Sequence, residues 1–205
     1  MSNIKVLIEG RAQKIENGWL ASPSTVLIRD SGLNILADPG SDKELLISKL
    51  GQEGLNSGDI NAIFLTHHHL DHILNIRLFG DCDILLDGDR MNGTDKVFSY
   101  TDTIPGTDIK VAATPGHTLE HSSLLVKTPE GIVAVAGDLF WWLAGEEQIT
   151  DRKTLLDRQD PGGAKDEGLL RQSRQKILDA ADFIIPGHGK MFKTIRQTHG
   201  NKNYR

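Results

Sequence analysis

Apolar and polar positions in the first third of the chain alternate too quickly for helices. Ile4–Glu9 reads as a strand. Thr25–Arg29 and Leu33–Ala37 flank Asp30-Ser31-Gly32, a short turn-forming segment that predicts a hairpin. The stretch between these strands, Gly10–Ser22, is polar and is expected to be a loop carrying Trp19. Asp38-Pro39-Gly40-Ser41 stops the second hairpin strand. Asp42–Leu50 then shows helical spacing at Leu45, Leu46, Lys49 and Leu50, with Ser41 as its cap. Ile60–Leu65 is again strand-like, and Ile73, Leu74, Ile76 and Leu78 continue as a helix toward Gly80.

Further along, Asp83–Leu86, Ile109–Ala113, Ser122–Lys127, Ile132–Ala136 and Asp182–Pro186 are short apolar runs bounded by turn residues, hence strands. Asp87–Thr107 is polar, with Val97 and Tyr100 as its strand candidates. Asp166–Ala181 is the clearest amphipathic helix, with Leu169, Leu170, Ser173, Ile177, Leu178 and Ala181 on one face. Leu139–Lys165 is long and mixed, the place for a lid or a partner surface. Strands first, then strands mixed with helices, predict an α/β fold in which two sheets pack together with helices outside. A chain of 205 residues with no obvious linker is expected to form one domain over 1–205.

Composition narrows the classes. A net charge of -5 disfavours nucleic acid as a partner. The stretch from Gly187 to Arg205 departs from this, with Lys190, Lys193, Arg196, Lys202 and Arg205 and no acid. It reads as a solvated tail, or as a patch that attracts an anionic substrate. Cys82 is the one cysteine, so no intrachain disulfide forms, and it is expected to be a structural thiol beside Asp83–Leu86. No apolar run approaches a membrane span, and the first residues lack the features of a leader, so the expected location is cytoplasmic.

The chemistry concentrates in Thr66-His67-His68-His69-Leu70-Asp71-His72, which reads H-x-H-x-D-H after the apolar run Ala62-Ile63-Phe64-Leu65. Neutral imidazole and ionised carboxylate are the usual N and O ligands of zinc-like ions. In an extended segment His67 and His69 point to one side, and Asp71 and His72 aim at a neighbouring point from the start of a helix. That arrangement suits two adjacent metal sites. Three more strand ends carry residues of the same kind: His117, Asp138 and His188. Loops at strand ends are where sites are commonly built. Of the remaining histidines, His68 is expected to face away from the metals and His199 to lie in the tail. His121 is either hydrogen-bonded to a ligand loop or simply the start of a strand.

In order along the chain, Leu36-Ala37-Asp38-Pro39-Gly40, His67–His72, Thr114–His117, Gly137-Asp138 and Pro186–Gly189 resemble the motifs of the metallo-beta-lactamase superfamily. The resemblance implies an αββα sandwich with the site at one edge. It implies two divalent metal ions, zinc first, with iron or manganese as alternatives. His67, His69 and His117 would hold one ion, and Asp71, His72 and His188 the second. Asp138 would bridge them together with a water or hydroxide, which then attacks the substrate. Asp71 would orient that hydroxide and pass a proton to the leaving group. Asp38 would order the ligand loops.

The same resemblance narrows the substrate. True beta-lactamases of this fold carry cysteine or serine at the position of Asp138. Flavodiiron proteins carry glutamate at that of His69, and glyoxalase II adds a glutathione-binding helical domain. The resemblance extends to the metallo-beta-lactamase domain-containing protein 1 family, which shares the G-D-x-F segment seen here at Gly137–Phe140. The expected activity is therefore hydrolysis of a small-molecule ester, thioester or lactone. A phosphodiesterase or nuclease, a mononuclear iron persulfide dioxygenase-like enzyme and a metal-stabilised interaction protein are the alternatives. Trp19, Trp141 and Trp142 are the substrate-pocket candidates, and a homodimer is allowed for.

Overall fold

The computed structural model describes residues 1–80, 82–91 and 96–194. Its first sheet has seven strands. They are β1 (Asn3–Ile8), β4 (Thr25–Asp30), β5 (Leu33–Ala37), β6 (Ala62–Phe64), β7 (Asp83–Leu86), β8 (Asp89–Met91) and β9 (Val97–Ser99), adjacent in that order. The second sheet has five: β10 (Lys110–Ala113), β11 (Ser122–Thr128), β12 (Gly131–Val135), β13 (Phe183–Ile185) and β14 (Phe192–Lys193). β5, β6 and β7 run parallel, as do β12 and β13; the other pairings are antiparallel.

Alternation along each strand builds the layers. Val26, Ile28, Ile35, Ala37 and Phe64 of the first sheet meet Leu124, Val126, Val133, Val135 and Ile185 of the second. The residues between them face outward: Leu27, Leu36 and Ile63 pack against Leu46 and Leu50 of α1 (Lys43–Gln52). Ala134 and Ile184 pack against Leu170, Ile177 and Leu178 of α4 (Glu167–Ala180). The central strands are buried on both faces, which is why they read as continuous apolar runs. Phe64 is fully buried, and burial of such a side chain stabilises by about 1.5–3 kcal/mol. The architecture is the expected αββα sandwich.

Four expectations need correction. Gly10–Ser22 is a hairpin, β2 (Arg11–Ile15) with β3 (Gly18–Ser22), rather than a loop. Its large apolar residues, Ile15, Trp19 and Leu20, are exposed, yet it is stitched to the rest of the molecule by backbone bonds such as Ala144 N to Ala12 O, 2.7 Å, and Gly189 N to Gly10 O, 2.9 Å. The cap of α1 is Asp42, whose carboxylate accepts from Leu45 N at 3.0 Å, and not Ser41. Beyond His69 the chain forms only the four-residue α2 (Leu70–Ile73) before tightening into a 3-10 turn over Leu74–Leu78. β14 follows the last histidine loop, where no strand was expected. Residues 139–165 include α3 (Arg152–Asp157) and otherwise run irregularly to α4, whose N-cap is Asp166. No helix among the described residues is long and apolar enough to cross a membrane. Of the basic C-terminal stretch, Arg196, His199, Lys202 and Arg205 lie outside the described residues.

Candidate metal centre

The ends of β6, β10, β12 and β13 lie along one edge of the sandwich, and the loops that follow them converge. Thr66, at the start of the β6 loop, ties the sheets together: its carbonyl accepts from Ser122 N at 2.8 Å. Its backbone N–H and hydroxyl both donate to Asp38, at 2.9 and 2.8 Å. Asp38 is therefore held at the end of β5 with three partners, the third being His72 Nδ1 at 2.9 Å.

The candidate ligands form two groups, His67, His69, His117 and Asp138, and Asp71, His72 and His188, each with its donor atoms within 4.8 Å of one another. In the first, Nδ1 of His69 lies 3.0 Å from His67 Nε2 and 3.1 Å from His117 Nε2. In the second, Asp71 Oδ2 lies 3.7 Å from His72 Nε2 and 3.5 Å from His188 Nε2. Asp138 stands between the two. Its Oδ2 is 3.9 Å from His67 Nε2, 3.4 Å from His117 Nε2 and 3.6 Å from His188 Nε2, and its Oδ1 is 3.4 Å from His72 Nε2. Donors bound about 2.0–2.1 Å from one tetrahedral ion stand about 3.3 Å apart, so these separations fit. His72 Nε2 and Asp138 Oδ1 are buried and have no hydrogen-bond partner, a costly state for polar atoms unless a cation takes them. The residues present fit a pair of divalent ions.

Four of the five histidines are aimed by what touches the other ring nitrogen. His67 Nδ1 meets Thr66 Oγ1 at 3.0 Å and His72 Nδ1 meets Asp38. His188 Nδ1 donates to Ser22 O at 2.9 Å. His117 Nδ1 lies 2.6 Å from Oδ2 of Asp160, a buried carboxylate from the irregular segment. Reading by strand ends missed Asp160. A usable signal exists, because Asp160-Pro161-Gly162 repeats the tripeptide Asp38-Pro39-Gly40.

Two glycines make this crowding possible. Gly137 has a φ of +49°, and a Cβ there would meet Thr66 and His121 at 2.7 Å. A Cβ on Gly187 would lie 1.8 Å from Asp138 Oδ1.

Charge is distributed unevenly. Burial pushes Asp138 up, yet the neighbouring His188 and His72 outweigh it and hold the carboxyl well below its ordinary range. Burial holds His67 well below the usual imidazole value, and it lowers His69 too. Burial also pushes His72 and His117 down, but here the carboxylates win. Asp38 and Asp138 raise His72 well above normal, and Asp160 with Asp138 raise His117.

A cavity of about 340 Å³ opens onto the centre. His69, Asp71, Asp138 and His188 line its polar side, and Ala12, Trp19, Ala21, Leu70 and Trp141 its apolar walls. Trp19 meets Trp141 edge-on at 5.9 Å, and Trp141 lies 5.6 Å from the His188 ring. Trp142 turns the other way: it packs in the core against Phe192, 5.8 Å between centroids, and does not line this cavity. A larger groove of about 480 Å³, lined by Ile4, Val6, Val133 and Phe183, lies away from the donor groups. His121 is buried, its Nδ1 2.9 Å from Thr114 Oγ1 and its ring 5.3 Å from that of His67, so it backs the site while preceding β11. His68 is exposed and pairs with Glu120.

Comparison with known proteins agrees. Residues 18–81 match the model of the metallo-beta-lactamase superfamily. A Xenopus laevis protein named metallo-beta-lactamase domain-containing protein 1 is 32% identical over 207 residues, 97% of this chain and 83% of the relative. The chain spans 64% of the rat protein of that name. Among solved structures, a metallo-beta-lactamase family protein from Thermus thermophilus shares the fold with a TM-score of 0.63 at 18% identity, over 95% of this chain and 76% of that one. AidC, described as a dizinc quorum-quenching lactonase, does so with a TM-score of 0.62 at 16% identity, over 88% and 79%. The chain belongs to the metallo-beta-lactamase superfamily.

Proposed function

We propose that the chain hydrolyses a small ester, thioester or lactone with two divalent metal ions, zinc in the first instance. The observation that carries this reading is the position of Asp138. Its carboxylate faces four imidazoles drawn from both donor groups, at the floor of a cavity whose walls are apolar. His67, His69 and His117 would hold one ion, Asp71, His72 and His188 the other, and Asp138 both. The donor set of imidazole nitrogen and carboxylate oxygen favours zinc, with iron and manganese as the alternatives. Such ions, when bound, lower the pKa of water toward neutrality and polarise the oxygen of a scissile carbonyl.

The remaining work falls to the chain. Asp71 is the more exposed of the two site carboxylates, 24% against 6% for Asp138. It lines the cavity, so it can orient an attacking water and return a proton to the departing group. Trp19, Leu70 and Trp141 would take up the apolar part of the substrate and keep bulk water out. Among the described residues lining the cavity there is no Lys or Arg to hold a phosphate, which favours a neutral acyl substrate over a phosphodiester.

The test is the metal content of protein purified without added metal, followed by a panel of p-nitrophenyl esters, thioesters, lactones and bis-p-nitrophenyl phosphate. Near two zinc ions per chain and acyl substrates turned over faster than the phosphodiester are expected. About one iron per chain, or a preference for the phosphodiester, overturns the reading. Asp138→Ala should abolish the activity and lower the metal content while the fold persists by circular dichroism.

A further inference from the structure

We propose that Asp160 is a positioning residue that prepares His117 to bind a metal ion, and that residues 158–170 form the scaffold that delivers it. The inference rests on the reading of His117 as a ligand. Asp160 Oδ2 lies 2.6 Å from His117 Nδ1, and its side chain is wholly buried. A carboxylate there accepts the Nδ1 proton, so the lone pair of the neutral ring is left on Nε2. That is the nitrogen that points at His69 and Asp138. The hydrogen bond therefore fixes both the tautomer and the ring's direction.

The contact is built from several sides. Asp160 Oδ1 accepts from Gly162 N at 2.8 Å, which closes the turn and leaves Oδ2 for the histidine. Glu167 Oε1 accepts from Asp160 N at 3.2 Å. The same segment grips the His117 loop by its backbone: Lys165 N donates to His117 O at 3.2 Å, and Asp166 N to Gly116 O at 3.0 Å. Gly116, with a φ of +141°, sits so near α4 that a Cβ would lie 2.3 Å from Leu170 Cα. Arg174, buried in α4, donates to Arg158 O and, at 2.6 Å through Nε, to Leu139 O. The irregular segment is thus tied to the helix behind it while its Asp160 carboxylate reaches the site in front. His72 has a comparable carboxylate in Asp38.

Competition titration with a zinc chelator, run on the wild type, Asp160→Ala and Asp160→Asn, tests this, with His117→Ala as the benchmark. Removing the partner behind a ligand histidine weakens metal binding by about 10–100-fold. Asp160→Ala should weaken one of the two zinc ions by that factor and leave the other unchanged, in the direction His117→Ala takes further. Asp160→Asn, which can still accept from Nδ1 but carries no charge, should fall between and guards against a variant that fails to fold. Nitrogen-15 NMR of the metal-free protein, at a pH that leaves the ring neutral, should show His117 with its proton on Nδ1 in the wild type and a mixture in Asp160→Ala. Two zinc ions bound equally well by wild type and Asp160→Ala would overturn the proposal. So would an unchanged His117 tautomer, a result that stands even if the wild type takes up no metal and the hydrolase reading itself fails.

Discussion

Asp38 and Asp160 each open an Asp-Pro-Gly tripeptide, and each lays a buried carboxylate against Nδ1 of one candidate ligand, at 2.9 Å for His72 and 2.6 Å for His117. Their settings differ. Asp38 ends a central strand, holds a φ of +48° and accepts from Thr66 twice as well as from His72. It locks the whole β6 loop to the frame of the first sheet. Asp160 hangs on an irregular segment, and its other carboxylate contact is to its own turn, at Gly162 N. One carboxylate is part of the fold and also orients a ligand; the other orients a ligand and little else.

That contrast fixes an order of effects. Asp38→Ala strips three buried donors of their acceptor, each costing about 1–3 kcal/mol, so a loss of at least about 3 kcal/mol and of both metal ions is expected. Asp160→Ala strips two donors, one ring and one turn, and should cost at least about 2 kcal/mol by the same measure. Urea denaturation of both variants checks this, and equal losses would erase the distinction. Trp19→Ala, 43% exposed at the cavity mouth, should leave stability nearly unchanged and raise KM severalfold with kcat preserved. An unchanged KM removes it from the substrate's path.

The effect of His121 appears only in acid. Burial first, then the charges of His117 and His72, push its pKa down to about 3 from an ordinary 6.5. The unfolded chain therefore binds a proton that the folded chain refuses between those values, and stability falls as pH drops through that window. His121→Asn should flatten the slope there by about 1.4 kcal/mol per pH unit, measured as denaturation free energy against pH. A slope identical to that of the wild type would contradict the assignment.

Much of this was legible in the residues themselves. Doubly buried strands leave long apolar runs, and Leu33–Ala37 was delimited to the residue. The candidate donor set was legible because each member lies at the end of such a run, and the structure gathers all seven in two adjacent groups. Asp160 was not, because it follows no strand. Its role comes from a fold-back onto His117, 43 positions away, that no local period records. The hairpin of residues 11–22 was missed for a related reason. It buries little beyond Ala12 and is held by backbone bonds to residues 144 and 189, so its apolar residues trace no core-facing pattern. Trp141 and Trp142 are adjacent and alike in composition, and opposite faces of the local backbone decide which one lines the cavity and which fills the core.

The central claim is that Asp138 joins two donor groups into one binuclear centre. Anomalous diffraction from crystals of the zinc-loaded protein, collected on both sides of the zinc edge, tests it most directly. Two peaks about 3.5–4 Å apart are expected, one against His67, His69 and His117 and the other against Asp71, His72 and His188, with the Asp138 carboxylate between them. A single peak, or two that leave Asp138 unliganded, would contradict the account.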